Sequence, residues 1–243
     1  MMEVHYVHFE EIDSTNTWAK THFDELNPQM LTCITAGRQT AGHGRYGRAW
    51  ASKKGNLHLT LAFSLPLNSP LLPHLAQILT FALWQCLEKE GLSPQIKWPN
   101  DLLIDGKKLS GVLVEAFPHE QATGLALGIG VNVNAPIEIE QETTSLFETT
   151  GKRWHLDELR DRIIERFQAN FQLLQEEGFP PFKAAMERCL AYKGEKISCH
   201  LGEKTVEGIL EGLSQEGALI VQSEDGTTHI FSSGEITHLR LGQ

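Results

Sequence analysis

The pattern of apolar residues changes near Lys193, and this change constrains the fold more than any other feature of the chain. Before it, segments of period-two alternation are interleaved with segments of helical spacing. After it come five short apolar runs, separated by Gly or Asp-Gly turns, which are typical of a small barrel or sandwich. We therefore expect two domains, residues 1–193 and residues 194–243. The five runs are centred on Ile197, Val206, Leu219, His229 and Ile236.

The first domain is predicted to be α+β, with a mixed β-sheet flanked by helices. The predicted strands are residues 5–11, 31–36, 56–65, 111–117 and 125–133. The predicted helices are residues 14–23, with Ser14 as N-cap, and residues 70–91, 155–177 and 182–190. A hairpin is expected over residues 102–109, because Asp105-Gly106 is a favoured two-residue turn.

The charge distribution indicates a small anionic ligand rather than a nucleic acid. With 21 Lys and Arg against 31 Asp and Glu, the net charge is −10, which argues against a phosphate-backbone partner. Residues 26–87, however, contain no acid and carry a charge of +5. A locally basic segment in an acidic chain favours a site for a small anion, although a chance run over an apolar helix gives the same count. The five cations are Arg38, Arg45, Arg48, Lys53 and Lys54.

Neither a membrane nor a secreted location is indicated by the sequence. No apolar run reaches the roughly 20 residues that a membrane span needs, and the N-terminus does not resemble a signal peptide. The four cysteines show no metal-ligand spacing, so no metal site is assigned from them. We expect a cytoplasmic protein.

A glycine- and arginine-rich segment at residues 37–48 is the first candidate for chemistry. Gly42, Gly44 and Gly47 satisfy G-x-G-x-x-G, but a strand follows instead of a helix, and the acidic residue that a dinucleotide site needs is missing. Glycines let the backbone approach a phosphate, and Arg45 and Arg48 can each bind one in a bidentate manner. The segment is therefore interpreted either as a lid over a polyanion or as a solvated connection.

A second candidate is Lys97-Trp-Pro-Asn-Asp101. Pro99 should end the strand there, so that Asn100 and Asp101 are presented at its end. The Asp-Gly turn then brings Lys108 back beside them. The alternative is an ordinary hairpin with solvated lysines, which is our interpretation of Lys107.

Taken together, these segments resemble a biotin protein ligase over nearly the whole chain. Such a resemblance implies the class II synthetase-like biotin/lipoate ligase fold followed by an SH3-like β-barrel. It also implies activation of biotin by ATP, with Mg²⁺, to biotinyl-5′-AMP, and transfer of biotin to a lysine of a biotin carboxyl carrier protein. The motifs occur in the family's order: Asp13-Ser-Thr-Asn16, Gln39-Thr-Ala-Gly-His-Gly-Arg-Tyr-Gly-Arg48, Lys97-Trp-Pro-Asn-Asp101, Lys108-Leu-Ser-Gly-Val-Leu-Val-Glu115, Gly128-Ile-Gly-Val-Asn132, Thr144-Ser-Leu146, Gly217-Ala-Leu-Ile and Gly234-Glu-Ile.

Site residues follow from the resemblance, position by position. Short polar side chains would satisfy the two donors and one acceptor of the biotin ureido group. Biotin contacts are expected at Ser14, Thr15, Asn16, Gln39, Gly42, His43, Gly44, Arg45, Lys108, Gly111 and Leu113. ATP or adenylate contacts are expected at Arg45, Arg48, Trp50, Asn100, Lys108 and Asn132. The catalytic group would be Arg45, Lys108 and Asp101, with Asp101 serving either the acceptor lysine or Mg²⁺.

Two features depart from the family or leave alternatives open. His43 and Tyr46 replace loop arginines, which predicts weaker electrostatic retention of the adenylate.

A lipoate or octanoate ligase or transferase is the nearest alternative, and a biotin-responsive DNA-binding repressor is another. Since the chain begins on the first predicted strand, we expect no N-terminal DNA-binding module and no nucleic-acid partner. The resemblance leaves both a monomer and a homodimer open.

Overall fold

A seven-stranded mixed sheet forms the larger part of the computed structural model, which describes residues 2–27, 30–137, 142–202 and 204–239. Its strand order is β1-β2-β3-β7-β6-β5-β4, so β7 lies at the centre. In this sheet β1 and β2 pair in parallel, and the other neighbouring strands pair in antiparallel fashion. The strands are β1 Val4–Ile12, β2 Leu31–Gln39, β3 Leu57–Pro66, β4 Gln95–Lys97, β5 Asp101–Ile104, β6 Lys107–His119 and β7 Ala122–Val131.

Helices cover the two faces of this sheet unequally. The helices are α1 Thr15–Thr21, α2 Leu75–Glu88, α3 Leu146–Thr150, α4 Leu156–Glu177 and α5 Pro180–Arg188. The two long helices α2 and α4 pack on each other and on one face, where most of the buried apolar side chains lie. The short helix α1 packs on the other face against a small cluster that includes Ile34, Ala62 and Ala126.

A five-stranded antiparallel sheet follows, in the order β11-β10-β9-β8-β12. Its strands are β8 Lys196–Leu201, β9 Lys204–Leu213, β10 Leu219–Gln222, β11 Thr228–Phe231 and β12 Glu235–His238. This sheet is docked on the first domain: the indole N–H of Trp98 and the side-chain amide of Gln77 both donate to the carbonyl of Gly217, at 3.1 and 3.2 Å. Gly217 has a φ of +73°, and a Cβ there would lie 2.7 Å from the ring of Phe179. The docking therefore depends on a glycine at this position.

The predicted fold class is confirmed, with differences in the bounds of several elements. The helix predicted from residue 70 begins at Leu75, after a single 3₁₀ turn that contains Pro73. The first arm of the predicted hairpin is β5, and its second arm forms one long strand, β6, with the strand predicted at 111–117. Helix α3 is not predicted, because its five residues are too few to show helical periodicity; Ser145 caps it by accepting the N–H of Glu148. Within the residues described, no helix has the length and apolar character to cross a membrane.

Candidate active site

A row of glycines forms the floor of a pocket on the face of the first sheet against which α1 packs. On adjacent strands, Gly111 pairs with Gly130 and Leu113 pairs with Gly128. A Cβ at Gly128 would lie 2.3 Å from Oδ1 of Asn16, and a Cβ at Gly130 would lie 2.3 Å from the indole of Trp50. The absence of side chains at these two positions therefore lets α1 and the glycine-arginine segment lie directly on the sheet. All the predicted site residues except Gly42 line this one pocket.

One end of the pocket carries a compact network of short polar side chains. Gln39 Oε1 accepts both the backbone N–H of Thr15, at 2.8 Å, and its hydroxyl, at 3.0 Å. The Thr60 hydroxyl lies 2.7 Å from Thr15 Oγ1 and 2.6 Å from Asn16 Oδ1. Ser14 caps α1 by accepting the N–H of Thr17, as predicted. Donors and acceptors are thus held in fixed positions by α1, β2 and β3, as recognition of a small polar ring requires.

Glu115 belongs to the same network, although sequence reasoning gave it no role. Its carboxylate accepts from Asn16 Nδ2 at 3.0 Å and from Lys20 Nζ at 2.8 Å, and it lies 3.3 Å from His43 Nε2. Burial pushes the pKa of Glu115 up, but the hydrogen bonds from Lys20 and Asn16 outweigh burial and hold it below its ordinary value. The ionised carboxylate joins α1, the sheet and the glycine-arginine segment. Its place on the pocket face could have been read from its spacing of two from Leu113.

The glycine-arginine segment folds over the pocket as a short hairpin. The N–H of Trp50 donates to the Gly42 carbonyl at 2.9 Å, and the N–H of Gly44 donates to the Arg48 carbonyl at 2.7 Å. Gly42 therefore shapes this lid through its backbone without lining the pocket. We call residues 39–52 the lid.

Both ends of the lid are tied to the sheet through a buried histidine. Ser52 Oγ accepts the N–H of Gln39 at 2.7 Å and lies 3.0 Å from His58 Nε2, while His58 Nδ1 lies 3.3 Å from the Ala36 carbonyl. With Nδ1 protonated and donating to Ala36, Nε2 accepts from Ser52. Burial lowers the pKa of His58, although the bond to Ala36 opposes the shift. Neutral His58 thus fixes the lid.

An ion pair between Lys108 and Asp101 occupies the middle of the pocket. Lys108 Nζ lies 2.8 Å from Asp101 Oδ2, and the two side chains are 18% and 14% exposed. Among the described residues, the other oxygen of Asp101, Oδ1, is buried without a hydrogen-bond partner. Gly111 makes room for the pair, because a Cβ there would lie 3.2 Å from both side chains. The convergence of Lys108 and Asp101 expected from the Asp-Gly turn is therefore observed.

Two predicted adenylate contacts, Asn100 and Asn132, line the pocket while their amides hold the backbone. Asn100 Nδ2 donates to the Val112 carbonyl at 2.8 Å, and Asn132 Nδ2 donates to the Thr144 carbonyl at 3.1 Å. Each asparagine thereby fixes a strand end at the pocket. Asn100 Oδ1 also lies 3.3 Å from a guanidinium nitrogen of Arg45.

The C-terminal sheet closes one side of the pocket through the Gly234-Glu235 pair. Arg45 donates to the Gly234 carbonyl at 2.9 Å. Arg48 forms a bidentate ion pair with Glu235, at 2.5 and 2.7 Å. The hydrogen bond from Arg48 lowers the pKa of Glu235, while burial opposes the shift. Glu235 is not a predicted site residue; its motif is visible in the sequence, but its distance along the chain from Arg48 hides the contact.

The described residues of the pocket offer few ligands for a metal ion. No group of three or more His, Cys, Asp or Glu side chains in the described residues has a metal-binding arrangement. Mg²⁺ commonly uses one or two carboxylates plus substrate phosphates and water, rather than an all-protein cage. The unpartnered Oδ1 of Asp101 provides one such ligand.

Both parts of the chain match models of known protein families. Residues 8–132 match the biotin/lipoate A/B protein ligase family, and residues 194–239 match the biotin protein ligase C-terminal domain. The bifunctional ligase/repressor BirA of Bacillus subtilis is 30% identical, covering 96% of this chain and 74% of that protein. The biotin–[acetyl-CoA-carboxylase] ligase of Paracoccus denitrificans is 33% identical, covering 88% and 92%.

Among solved structures, the biotin protein ligase of Aquifex aeolicus in complex with biotin and ATP is similar to this chain. It superposes with a TM-score of 0.83 at 34% identity, covering 97% of this chain and 98% of that chain. The agreement extends over both sheets.

Proposed function

The chain belongs to the biotin/lipoate A/B protein ligase family, and we propose that it is a biotin protein ligase, which activates biotin with ATP and transfers it to a lysine of a biotin carboxyl carrier protein. The observation that carries this proposal is the order of groups within one pocket. The network of Thr15, Asn16 and Gln39 lies at one end, and the Lys108–Asp101 pair lies beside it. The C-terminal domain match supports biotin over lipoate. A cytoplasmic location is part of the proposal, and the similarity to bacterial biotin ligases supports it.

The polar network is suited to the ureido ring of biotin. Gln39, Thr15 and Asn16 present both donors and acceptors, and a buried polar site discriminates strongly against a ligand that leaves those groups unpaired. Lipoate and octanoate have no ureido group. Binding either of them would therefore leave buried polar atoms without partners.

In the first step, a carboxylate oxygen of biotin attacks the α-phosphorus of ATP. The new P–O bond forms as the bond to the bridging oxygen of the β-phosphate breaks, and the electron pair leaves with pyrophosphate. Lys108 places a positive charge between the two anions that react, which lowers their repulsion in the transition state. Arg45 and Arg48 are proposed to contact the adenylate after phosphate replaces their present partners, the Gly234 carbonyl and Glu235.

In the second step, the acceptor lysine of the carrier attacks the acyl carbon of biotinyl-5′-AMP. A C–N bond forms, the C–O bond to phosphate breaks, and the electron pair leaves with AMP. We assign Asp101 Oδ1 to the incoming amine, because it is a buried acceptor that no described residue satisfies. The proton that nitrogen loses is accepted there.

If Asp101 Oδ1 does not serve the amine, it is the carboxylate oxygen available to hold the Mg²⁺ that would neutralise phosphate charge on bound ATP. Water is the competing nucleophile in the second step. Trp50 and the rest of the lid cover the glycine floor and keep it out.

Biotin-dependent ATP–pyrophosphate exchange tests this proposal without a carrier protein. Label from pyrophosphate is expected to enter ATP when biotin is present, and not when lipoate or octanoate replaces it. Exchange with lipoate but not biotin would assign the chain to the lipoate branch of the family instead.

A further inference from the structure

Lys97 is the cation of the pocket for which the proposed steps above have no use. It is the last residue of β4 and lies directly opposite Asp101 on β5. Opposite residues of an antiparallel pair project to the same face, so Lys97 and Asp101 share the pocket side of the sheet. Lys97 also lines the pocket.

Four Lys and Arg side chains line the pocket, and the three besides Lys97 each have a partner. Arg45 binds the Gly234 carbonyl, Arg48 binds Glu235, and Lys108 binds Asp101. Within the described part of the chain, no hydrogen bond or ion pair joins the Lys97 ammonium to another group. Lys97 forms no ion pair with Asp101, because Asp101 Oδ2 is paired with the ammonium of Lys108. A half-buried ammonium without a partner is costly unless a ligand supplies the counter-charge.

The order of groups across the sheet indicates which part of a ligand reaches Lys97. The polar network lies over β3 and β7, Lys108 follows on β6, Asp101 on β5, and Lys97 on the edge strand β4. In phosphoryl transfer, the attacking and leaving oxygens lie roughly in line on opposite sides of phosphorus. A carboxylate that arrives from the β7 side, beside Lys108, therefore sends the leaving group toward β4.

We propose that the Lys97 ammonium binds the β- and γ-phosphates of ATP and stabilises the pyrophosphate that leaves in the first step. This inference rests on the proposed ligase function. When the bond between the α-phosphorus and the bridging oxygen breaks, the electron pair moves onto pyrophosphate, and Lys97 offsets the growing negative charge. In the reverse direction, Lys97 holds pyrophosphate for attack on biotinyl-5′-AMP. It has no part in the transfer of biotin to the acceptor lysine.

The surrounding charges agree with this role. Burial lowers the pKa of Lys97 and the nearby Lys108 and Arg48 act in the same direction, while Asp101 and Glu235 oppose them. A polyphosphate would enter a group of cations that the two carboxylates only partly neutralise. Its arrival would favour the charged form of Lys97.

Measuring the two half-reactions separately distinguishes a role of Lys97 in binding pyrophosphate from a general role in the fold or in both steps. We would prepare Lys97→Gln and Lys97→Arg, with Lys107→Gln as the matched control, because Lys107 is an exposed lysine of the adjacent hairpin outside the pocket. The first readout is the KM for pyrophosphate in biotin-dependent exchange. The second is single-turnover transfer from synthetic biotinyl-5′-AMP to a carrier domain.

Lys97→Gln should raise the KM for pyrophosphate about 10- to 100-fold, the effect of losing one charged hydrogen bond, and Lys97→Arg should restore part of it. Transfer from biotinyl-5′-AMP should stay at the parent rate in both variants, and Lys107→Gln should match the parent in both assays. An unchanged KM for pyrophosphate, or an equal loss in transfer, would overturn the proposal. If Lys97→Gln does not fold, Lys97→Met keeps the aliphatic stem, and loss of transfer in that variant also counts against it. A parent enzyme without biotin-dependent exchange would instead refute the proposed function.

Discussion

A single methyl group at Gly128 should disable the biotin end of the pocket while leaving the ATP end intact. The Cβ of Gly128→Ala would lie 2.3 Å from Asn16 Oδ1, far inside van der Waals contact. Asn16 is only 5% exposed and cannot swing away without losing its partners. Its two shortest hydrogen bonds are to the Thr60 hydroxyl at 2.6 Å and to the Glu115 carboxylate at 3.0 Å, and a longer one reaches the Ala126 carbonyl at 3.4 Å. The methyl therefore acts by displacing Asn16.

The expected cost follows from the two shorter hydrogen bonds. A buried bond between neutral groups contributes about 1 kcal/mol, and one to a charged group contributes about 1.5–3 kcal/mol. The free energy of unfolding should therefore fall by about 2.5–4 kcal/mol. Because Asn16 is a proposed biotin contact, the KM for biotin should rise about 10- to 100-fold. The KM for ATP should change little, since the phosphate end of the pocket keeps its contacts.

A double-mutant cycle with Asn16→Ala isolates this mechanism. Removing the Asn16 side chain vacates the space that the methyl group of Gly128→Ala would enter, so Gly128→Ala should add almost no further cost in that background. Unfolding in urea and steady-state kinetics would be measured for the parent, both single variants and the double variant. Additive effects on stability and on the KM for biotin would refute the displacement of Asn16 as the cause.

Three further predictions concern the centre of the pocket and the lid. Asp101→Asn should slow transfer from synthetic biotinyl-5′-AMP about 10- to 100-fold and spare biotin-dependent exchange; an equal loss in exchange, relieved by excess Mg²⁺, would assign Asp101 to the metal instead. Arg45→Gly removes the bond to the Gly234 carbonyl and should let the adenylate escape to stray lysines, as mass mapping of a bystander protein would show; unchanged acceptor selectivity would contradict this. Burial lowers the pKa of His58 below its ordinary value of 6.5, so the imidazole binds a proton more tightly in the unfolded chain than in the folded one. The stability that neutral His58 contributes is therefore complete above pH 6.5 and is lost as the pH falls below it. His58→Asn should flatten the fall in unfolding free energy between about pH 7 and pH 5, and an unchanged slope would contradict the assignment.

The local parts of the site could be predicted from the sequence because short-range chemistry determines them. The Asp105-Gly106 turn fixes a tight hairpin, and the hairpin alone brings Lys108 to 2.8 Å from Asp101. Ser14 likewise caps α1 through a residue three positions away. In each case the partners lie within one turn or one hairpin of each other.

The contacts between distant segments could not be predicted in the same way. Glu115 lies 99 residues from Asn16, and Glu235 lies 187 residues from Arg48. Their meeting depends on the strand order that places β7 at the centre, and on the docking of the second sheet through Gly217. Hydrophobic periodicity identifies a strand and its buried face, but it does not determine which strands pair.

The lid also shows that a local charge pattern does not reveal partners from distant segments. The acid-free charge pattern indicates Arg48 as a phosphate contact. In the structure, Arg48 is held by Glu235, so part of the local positive charge is already neutralised from the five-stranded sheet. Among the described residues, the pocket cation without such a partner is Lys97, which lies outside the acid-free stretch and owes its place to its pairing with Asp101.

The mass of a carrier domain tests the central claim most directly. The protein would be incubated with biotin, MgATP and the biotin carboxyl carrier domain of an acetyl-CoA carboxylase, with parallel samples that lack ATP or contain lipoate. The account predicts that the carrier gains the mass of one biotinyl group on a single lysine, only when biotin and ATP are both present. A carrier that keeps its mass with biotin and ATP, or that gains a lipoyl group instead, would contradict it.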